Sequence, residues 1–295
     1  MKKVSLGLFN LMGLHDTNTS PVAVARTTID AVKMAEDFGF ETAWFAEHHF
    51  TNHSLCPSAL MMIAHTAGHT SRIRLGSAVV ALPFHNPLLL VEEIIFVDLL
   101  TRGRLVLGLG CGYQPYEMVR FAVEADSKHR MMLEIWDIIE KGLRSGRIGH
   151  QGEFFKIPPT ELATRPVTIG GPDIYVVSSH PEIVARAARD GHTPFMSFGH
   201  RGLNEAVQFR QKIKAHWAAT PGAPNHMPLA VQRYVYVTED KSDAEHAARC
   251  VRDLARADKA FTSAQSGPDG SFPRLMPLND EAPLDDFLDK AVIGP

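Results

Sequence analysis

The sequence predicts an α/β protein built on a parallel β-sheet that helices cover. Two observations support this fold class. Strand-like and helix-like segments alternate along most of the chain, and the strand-like segments are apolar on both faces. Seven strand–helix units can be counted. A TIM barrel needs eight such units, and the doubly wound open sheet is the competing architecture.

Each predicted strand is a short apolar or β-branched run, and each predicted helix carries apolar residues at helical spacing. The predicted strands cover residues 4–10, 42–46, 74–82, 104–109, 174–177, 194–197 and 231–238. The predicted helices cover residues 21–38, 57–70, 87–100, 126–143, 182–189, 204–218 and 242–257. The helix over 87–100 has a clear start, because Asn86 is a good N-cap and Pro87 suits the first helical position.

Two stretches interrupt the alternation. Residues 146–172 are rich in Gly and Pro, and "GEFFKIPP" within them predicts a short hairpin. Residues 262–283 contain "SGPDGS" and few apolar residues. We expect a single domain over residues 1–295 with these two irregular insertions. The second is expected to form a lid over the carboxyl ends of the strands, and a passive disordered loop is the alternative.

The composition excludes several classes of function. The chain has 295 residues, 45% of them hydrophobic, which is enough for a sizeable core. A net charge of −3 without any Lys/Arg-rich run argues against nucleic acid as a partner. No apolar run reaches membrane-spanning length, and "VSLGLFN" is interpreted as a first strand, not as part of a signal peptide. Cys56, Cys111 and Cys250 form no CxxC motif, which fits a reducing cytoplasm.

Glu47, His48 and His49 come together directly after the predicted strand over 42–46. In a parallel α/β fold, sites are built at the carboxyl ends of the strands. Burying three titratable side chains without a function is costly, so a functional role is favoured over a structural one. Alternation along a strand would place Glu47 and His49 on one face and His48 on the other.

No metal site is expected despite the many histidines. His48 and His49 would point to opposite faces and cannot easily share a metal. His65 and His69 have the i,i+4 spacing of two zinc ligands, but the residues between them include no glutamate, so they do not form an H-E-x-x-H motif.

The stretch "LVLGLGCGYQP" is rich in glycine directly after a predicted strand. Methyltransferases and Rossmann folds have nucleotide-binding turns of this kind. However, Gly108, Gly110 and Gly112 do not match G-x-G-x-x-G, and they follow the fourth strand, not the first. A turn that needs close backbone approach is the simpler explanation. A methyltransferase that uses S-adenosylmethionine stays an alternative. The sequence contains neither a G-x-S-x-G motif nor a P-loop, so hydrolases with a catalytic serine and kinases lose their usual support.

Four blocks of the chain resemble, in the same order, the luciferase-like flavin-dependent monooxygenases, the family of bacterial luciferase. The blocks are "GFETAWFAEHHF", the long segment from "RIRLGSAVV" to "LGLGCGY", "SKHRMMLEIWDIIEKGL" and "IYVVSSHPEIVARAARDG". The resemblance runs from residue 4 to about residue 240 and implies a (β/α)8 TIM barrel. We expect either that the last βα unit is missing from this chain or that the chain is a shortened relative.

The resemblance implies an enzyme that uses reduced FMN and dioxygen to oxidise a small organic substrate through a C4a-hydroperoxyflavin. A separate flavin reductase would supply the reduced flavin, because the sequence has no evident NAD(P)H fingerprint. A deazaflavin is the less favoured cofactor. The alternative within the family is a non-catalytic flavin-binding or partner subunit.

The resemblance also implies roles for particular residues. His48 matches the catalytic histidine of the family, Glu47 is expected to hold its ring, and His49 is expected to be structural. Cys111 stands where many relatives have an arginine that contacts phosphate. The expected flavin contacts are a non-prolyl cis peptide at Ala78–Val79 under the isoalloxazine ring, Gly110 and Cys111 after the glycine-rich strand, Arg130 on the phosphate, and Ser178, Ser179 and His180 at a helix start that receives the same phosphate.

The helix over 87–100 reads "PLLLVEEIIFVDLL" and is apolar nearly all round. One stripe covers the sheet, and the remainder would leave a large apolar patch on a monomer. We therefore predict that Leu89, Leu90 and Phe96 lie in a dimer interface, with help from Met61 and Met62 on the preceding helix. A homodimer is expected, and a heterodimer is the alternative.

Overall fold

A computed structural model of the chain describes residues 4–14, 18–262 and 275–294, and it confirms the α/β class. The strands are β1 (Gly7–Asn10), β2 (Thr42–Phe45), β3 (Arg74–Ser77), β4 (Val80–Ala81), β5 (Leu105–Gly110), β6 (Arg147–Gln151), β7 (Lys156–Glu161), β8 (Asp173–Val177), β9 (Thr193–Ser197), β10 (Ala230–Gln232), β11 (Val235–Val237) and β12 (Val292–Gly294). The α-helices are α1 (Pro21–Asp37), α2 (Ala59–Ala67), α3 (Pro87–Thr101), α4 (Pro115–Arg120), α5 (Lys128–Ser145), α6 (Pro181–Asp190), α7 (Leu203–Ala218), α8 (Lys241–Thr262) and α9 (Asp286–Lys290).

The contacts within the chain divide it into two compact units. The first comprises residues 1–112 and 117–175, and the second comprises residues 113–116 and 176–295. In the first unit the strand order is β1-β2-β3-β5-β8, and the pairs from β1 to β5 are parallel. Neighbouring strands follow one another along the chain without the reversal that defines a doubly wound sheet. The open-sheet alternative is therefore wrong, and the topology is that of a TIM barrel.

In the second unit β8, β9 and β10 follow one another in the same way, and β9 and β10 are parallel. Strands β11 and β12 form a separate parallel pair. Buried Val184, Met196 and Phe198 pack in one hydrophobic cluster, whereas Val251 and Phe287 belong to a second.

The predicted strand over 74–82 is two short strands in the structure. Strand β3 ends at Ser77, the Ala78–Val79 peptide bond is cis, and a 3-10 helix over Leu82–Phe84 follows β4. The expected cis peptide is thus confirmed. Ser77 accounts for the interruption, because its hydroxyl donates to the carbonyl of Gly108 at 3.0 Å and accepts the Gly108 N–H at 2.9 Å. These side-chain bonds satisfy backbone groups that would otherwise pair along the strands.

The glycines of β5 make room for this interrupted segment. A Cβ at Gly108 would overlap the carbonyl oxygen of Ser77, and a Cβ at Gly110 would lie 2.6 Å from Cγ2 of Val79. Gly112 has a φ of 71°, which favours glycine. Close approach between neighbouring strands therefore explains the glycine-rich stretch without a nucleotide-binding turn.

The predicted hairpin is confirmed as β6 and β7, which pair antiparallel around the turn over residues 152–155. Glu134, on α5, holds this turn. Its carboxylate accepts the N–H groups of Phe154 at 3.0 Å and Phe155 at 2.8 Å, and it lies 3.0 Å from Nε2 of His150. Most of the predicted lid, residues 263–274, lies outside the described residues.

Glu36, on α1, fixes the loop that precedes β3. Its carboxylate accepts the backbone N–H groups of Ser71, Arg72 and Ile73 at 2.9–3.0 Å. Burial by itself raises the pKa of Glu36, but these hydrogen bonds outweigh burial and lower the pKa to about 2. A carboxylate held by three amides therefore anchors α1 to the loop.

Helix α3 buries one side and exposes the other, as its sequence predicts. Leu90 is buried within the protomer, so the expectation that it lies in a dimer interface is wrong, whereas Leu89 and Phe96 are 55% and 60% exposed. Met61, on α2, and Leu100 are also exposed. We call Met61, Leu89, Phe96 and Leu100 the α2–α3 patch. Among the described helices, including this apolar one, none is both long and apolar enough to cross a membrane.

Candidate active site

Glu47, His48 and His49 follow β2 directly and are all buried, at the strand end where sites are expected. The backbone leaves the strand here, and the N–H of His48 donates to the carbonyl of Cys56 at 3.2 Å. This bond closes the loop over residues 48–56, so both imidazoles are carried by a segment with a fixed backbone.

A buried carboxylate holds the ring of His48. Nδ1 of His48 lies 3.0 Å from Oε1 of Glu117, which is 2% exposed. The same oxygen accepts the backbone N–H of His49 at 2.7 Å. Oε1 therefore acts as an acceptor, so Nδ1 is assigned as the donor in this contact. Glu117 thus sets the tautomer of His48 and fixes the backbone beside it.

Glu47 has different partners from those that the sequence predicts. Its Oε1 accepts the N–H of Ala81 at 3.2 Å and lies 2.9 Å from Nε2 of His85 and 3.5 Å from Nε2 of His49. The expectation that Glu47 holds the ring of His48 is wrong. The physical reason is that the two side chains have different partners: Glu47 contacts His49 and His85, whereas the ring of His48 contacts Glu117.

Buried Glu47 and partly buried His85 form an ion pair. Burial by itself raises the pKa of Glu47, but the contacts with His49 and His85 outweigh it and bring the pKa to about 2. Burial by itself lowers the pKa of His85, but the hydrogen bond to Glu47 outweighs it and raises the pKa. Each group therefore stabilises the charged form of the other, and together they join the end of β2 to the segment before α3.

An aromatic cluster surrounds the ring of His49. That ring lies edge-on to Phe121 at 4.7 Å and to Phe84 at 5.9 Å between centroids. Phe84 and Phe121 stack at 4.7 Å, and Phe50 lies 5.5 Å from Phe121. Phe50 is half exposed. The cluster gives the segment after β2 an apolar side that solvent can still reach.

Two buried side-chain oxygens in the same loop make no hydrogen bond within the described residues. They are Oγ1 of Thr51 and Oδ1 of Asn52. The amide nitrogen of Asn52 donates to the carbonyl of Leu14 at 3.1 Å, so only the oxygen side of that amide is unsatisfied. Buried polar atoms without partners are costly, and the two oxygens suit the polar edge of a ligand.

The expected flavin contacts of the first unit fall into two groups. Val79 packs on Gly110, and half-buried Cys111 follows directly, with burial raising the pKa of its thiol. Ala78 and Val79 share the cis bond next to this strand end. Arg130, in the first turn of α5, is instead engaged by Glu153: its Nε and one terminal nitrogen lie 3.2 and 3.0 Å from the two carboxylate oxygens.

The remaining expected contacts lie in the second unit. Ser178, Ser179 and His180 follow β8 and are partly exposed, and His180 is the N-cap of α6. The hydroxyl of Ser178 accepts the N–H of His180 at 3.0 Å. The N-terminus of this ten-residue helix is a suitable environment for an anion.

Sequence reasoning missed Glu117 and His85. Glu117 lies in α4, a short helix that apolar periodicity does not predict. Its signal is Pro115 at the first helical position with an acidic residue in the first turn. His85 directly precedes Asn86, the N-cap of α3, within a block that carries the resemblance.

Comparison with known proteins decides the family. The family model described as "Luciferase-like monooxygenase" matches residues 4–277. The chain belongs to the luciferase-like monooxygenase family. This result confirms the resemblance that the four sequence blocks indicate.

Two relatives show how similar this luciferase-like chain is to other proteins. An uncharacterized protein, y4vJ, of Sinorhizobium fredii is 36% identical over 283 residues, which cover 96% of this chain and 80% of that protein. The oxygenase component of a flavin-dependent trigonelline monooxygenase from Acinetobacter baylyi is 29% identical over 225 residues. That match covers 75% of this chain and 61% of that protein, so the chain spans less than two thirds of its length.

Solved structures agree on the fold. The oxygenating constituent of 3,6-diketocamphane monooxygenase from Pseudomonas putida, in complex with FMN, matches with a TM-score of 0.75 at 18% identity, over 99% of this chain and 84% of that chain. The coenzyme F420-dependent tetrahydromethanopterin reductase from Methanopyrus kandleri matches with a TM-score of 0.64 at 18% identity, over 94% of this chain and 84% of that chain. The luciferase-like TIM barrel that the sequence predicts is confirmed.

Proposed function

We propose that this luciferase-like protein is the oxygenase component of a two-component monooxygenase. It would bind reduced FMN from a separate flavin reductase and use dioxygen to oxidise a small organic substrate. Family membership supports the enzyme class, and the relative named as an oxygenase component supports the two-component arrangement. The observation that carries the proposal is the buried pair of His48 and Glu117 at the carboxyl end of β2.

The chemistry of the expected contacts fits FMN. The guanidinium of Arg130 suits a phosphate, and so does the helix N-terminus at His180. The unsatisfied oxygens of Thr51 and Asn52 suit polar groups of a ligand. When bound, reduced flavin supplies the electrons that activate dioxygen, which no side chain can supply.

The residues of the chain would handle the proton. Glu117 keeps Nδ1 of His48 as the donor, so Nε2 is the atom that would accept a proton from the substrate or return it. Phe84 and Phe121 pack around the ring of His49, so they would hold the backbone next to His48 in place.

Two alternatives differ from this proposal in ways that can be measured. A non-catalytic flavin-binding subunit needs no carboxylate to orient His48, so buried Glu117 favours catalysis. A deazaflavin cofactor is the second alternative, since an F420-dependent enzyme shares the fold. The methyltransferase alternative has lost its basis, because strand packing explains Gly108 and Gly110.

We also propose that the protein is a homodimer that buries the α2–α3 patch. Leu89 and Phe96 project from the same helix, and Met61 is exposed on the neighbouring one. Large apolar side chains exposed on two neighbouring helices commonly mark a protein interface.

The cofactor is identified by anaerobic titration with reduced FMN, reduced riboflavin or reduced F420. Tryptophan fluorescence reports the binding of each. We expect saturable quenching by reduced FMN. Labelled dioxygen is then admitted with decanal, limonene or trigonelline, and mass spectrometry should find one labelled oxygen atom in a product. Binding of reduced F420 alone would favour the deazaflavin alternative, and failure of all three cofactors to bind would overturn the proposal.

A further inference from the structure

The guanidinium of Arg130 binds the carboxylate of Glu153 through two nitrogens, in the same way that an arginine binds a phosphate. Two of its nitrogens contact the two oxygens of Glu153 at 3.2 and 3.0 Å. Its remaining terminal nitrogen donates to the carbonyl of Asp126 at 3.2 Å, and the guanidinium lies 6.0 Å from the ring centre of Phe154. The fork is therefore presented in the bidentate geometry that suits both carboxylates and phosphates.

Two attachments join the β6–β7 turn to α5, and they differ in accessibility. Glu134 is a largely buried anchor, 10% exposed, whose carboxylate accepts the N–H groups of Phe154 and Phe155. The pair of Arg130 and Glu153 lies one helical turn away, and its side chains are 55% and 54% exposed. The turn can therefore stay docked through Glu134 while the outer pair opens.

We propose that Glu153 is a competing anion that occupies Arg130 until the phosphate of FMN displaces it. The inference rests on the proposed function, because it takes FMN as the ligand and Arg130 as its phosphate contact. An exposed ion pair contributes little free energy, so it can be exchanged. A phosphate monoester carries more negative charge than a carboxylate and offers three oxygens to the same fork.

Removing the charge of Glu153 should strengthen FMN binding without affecting flavins that lack the phosphate. For Glu153→Gln we expect the dissociation constant of reduced FMN to fall roughly two- to fivefold. This factor corresponds to the free energy that an exposed ion pair contributes. The dissociation constant of reduced riboflavin should stay unchanged. The FMN-over-riboflavin preference is thus the quantity that reports on Glu153.

Two further proteins separate competition at Arg130 from a general effect of charge. Glu161→Gln removes the same charge from the same hairpin, where Glu161 lies 3.6 Å from Arg147. It should leave the FMN-over-riboflavin preference unchanged. In an Arg130→Gln background, Glu153→Gln should no longer strengthen FMN binding, because the site of competition is gone.

Anaerobic fluorescence titrations of these proteins with reduced FMN and reduced riboflavin decide the matter, and circular dichroism checks their folding. FMN binding that Glu153→Gln leaves unchanged overturns the inference alone. An equal gain in Glu161→Gln, or a gain that persists without Arg130, also overturns it. Failure of the unaltered protein to bind any reduced flavin overturns the proposed function and the inference with it.

Discussion

Nδ1 of His48 and Oε1 of Glu117 lie 3.0 Å apart, although the two residues are 69 positions apart in the chain. His48 follows β2, and Glu117 lies in α4, which follows β5. Parallel strands bring their carboxyl ends to the same side of a sheet, so residues that follow different strands can meet there. The pair therefore joins two segments that the sequence presents as unrelated motifs.

His48→Ala is expected to fold and bind reduced FMN but to lose oxygenation. General acid–base catalysis contributes about 10²–10⁴-fold in rate, so product formation should fall within that range and hydrogen peroxide should be released instead. His49→Ala should act mainly on stability, because its ring packs with Phe84 and Phe121. Product and peroxide yields per reduced FMN are the measurement. If His48→Ala keeps coupled turnover, another group handles the proton.

Glu117→Gln is expected to slow product formation through its effect on His48. The loss should be roughly 10–100-fold, by analogy with the carboxylates that orient metal-bound histidines. In a His48→Ala background the same substitution should cause little further loss, because residues that act as a unit are not additive. Rates for the two single variants and the double variant test this. Fully additive losses would show that Glu117 acts only on the backbone of His49.

The ion pair of Glu47 and His85 should make stability depend on pH in a definite window. The pKa of Glu47 is lowered from 4.5 to about 2, so its contribution is complete above pH 4.5 and disappears as the pH falls towards 2. The pKa of His85 is raised above 6.5, so its contribution is complete below pH 6.5 and disappears as the pH rises through the raised value. The pair therefore stabilises most between pH 4.5 and 6.5.

Glu47→Gln should lower the free energy of unfolding by about 2–3 kcal/mol inside this window, because it removes the charged hydrogen-bond partner of partly buried His85. The difference from the unaltered protein should shrink on either side. Urea unfolding near pH 3, 5.5 and 9, roughly one condition for each regime, measures it. A difference that does not vary with pH would contradict the assignment of an ion pair.

Glu36→Ala should destabilise the fold by about 1–3 kcal/mol, since it removes the acceptor of three backbone N–H groups. Asp37→Ala is the matched control. Asp37 is exposed, and its contact with Arg72 is long, at 4.0 Å. Its effect should stay within about 0.5 kcal/mol. Thermal unfolding at neutral pH compares the two variants, and equal effects would show that the amides do not depend on Glu36.

Leu89→Glu and Phe96→Glu should each convert the proposed dimer into a monomer, because each places a charge in the apolar α2–α3 patch. Val22→Glu is the control, since Val22 is exposed on α1, outside the patch. Light scattering after size-exclusion chromatography gives the mass of each protein. A monomeric unaltered protein, or a dimer that withstands both patch substitutions, would refute this interface.

The order of the elements could be predicted because apolar periodicity is a local property of the sequence. Helix α1, predicted over 21–38, spans Pro21–Asp37 in the structure. The position of the titratable cluster was predictable for the same reason, as Glu47 and its two neighbours follow a buried strand. Local pattern is therefore sufficient to say where along the chain a site forms.

Partner choice within the cluster could not be predicted, because it depends on residues distant in sequence. Glu117 reaches His48 from a helix too short for periodicity to reveal. The break in the strand over 74–82 depends on the bonds of Ser77 with Gly108, 31 positions away. In both cases a tertiary contact decides the outcome, and local propensity does not.

The close fit of Ser77, Val79, Gly108 and Gly110 has a consequence for engineering. A side-chain carbon added at Gly108 would meet Ser77, and one added at Gly110 would meet Val79. These two positions therefore accept no larger residue. The aromatic cluster offers the opposite situation, because the ring of Phe50 is half exposed and can be cut back without opening the sheet. A library that aims to alter which molecules this protein accepts should therefore randomise the phenylalanines and keep the glycines fixed.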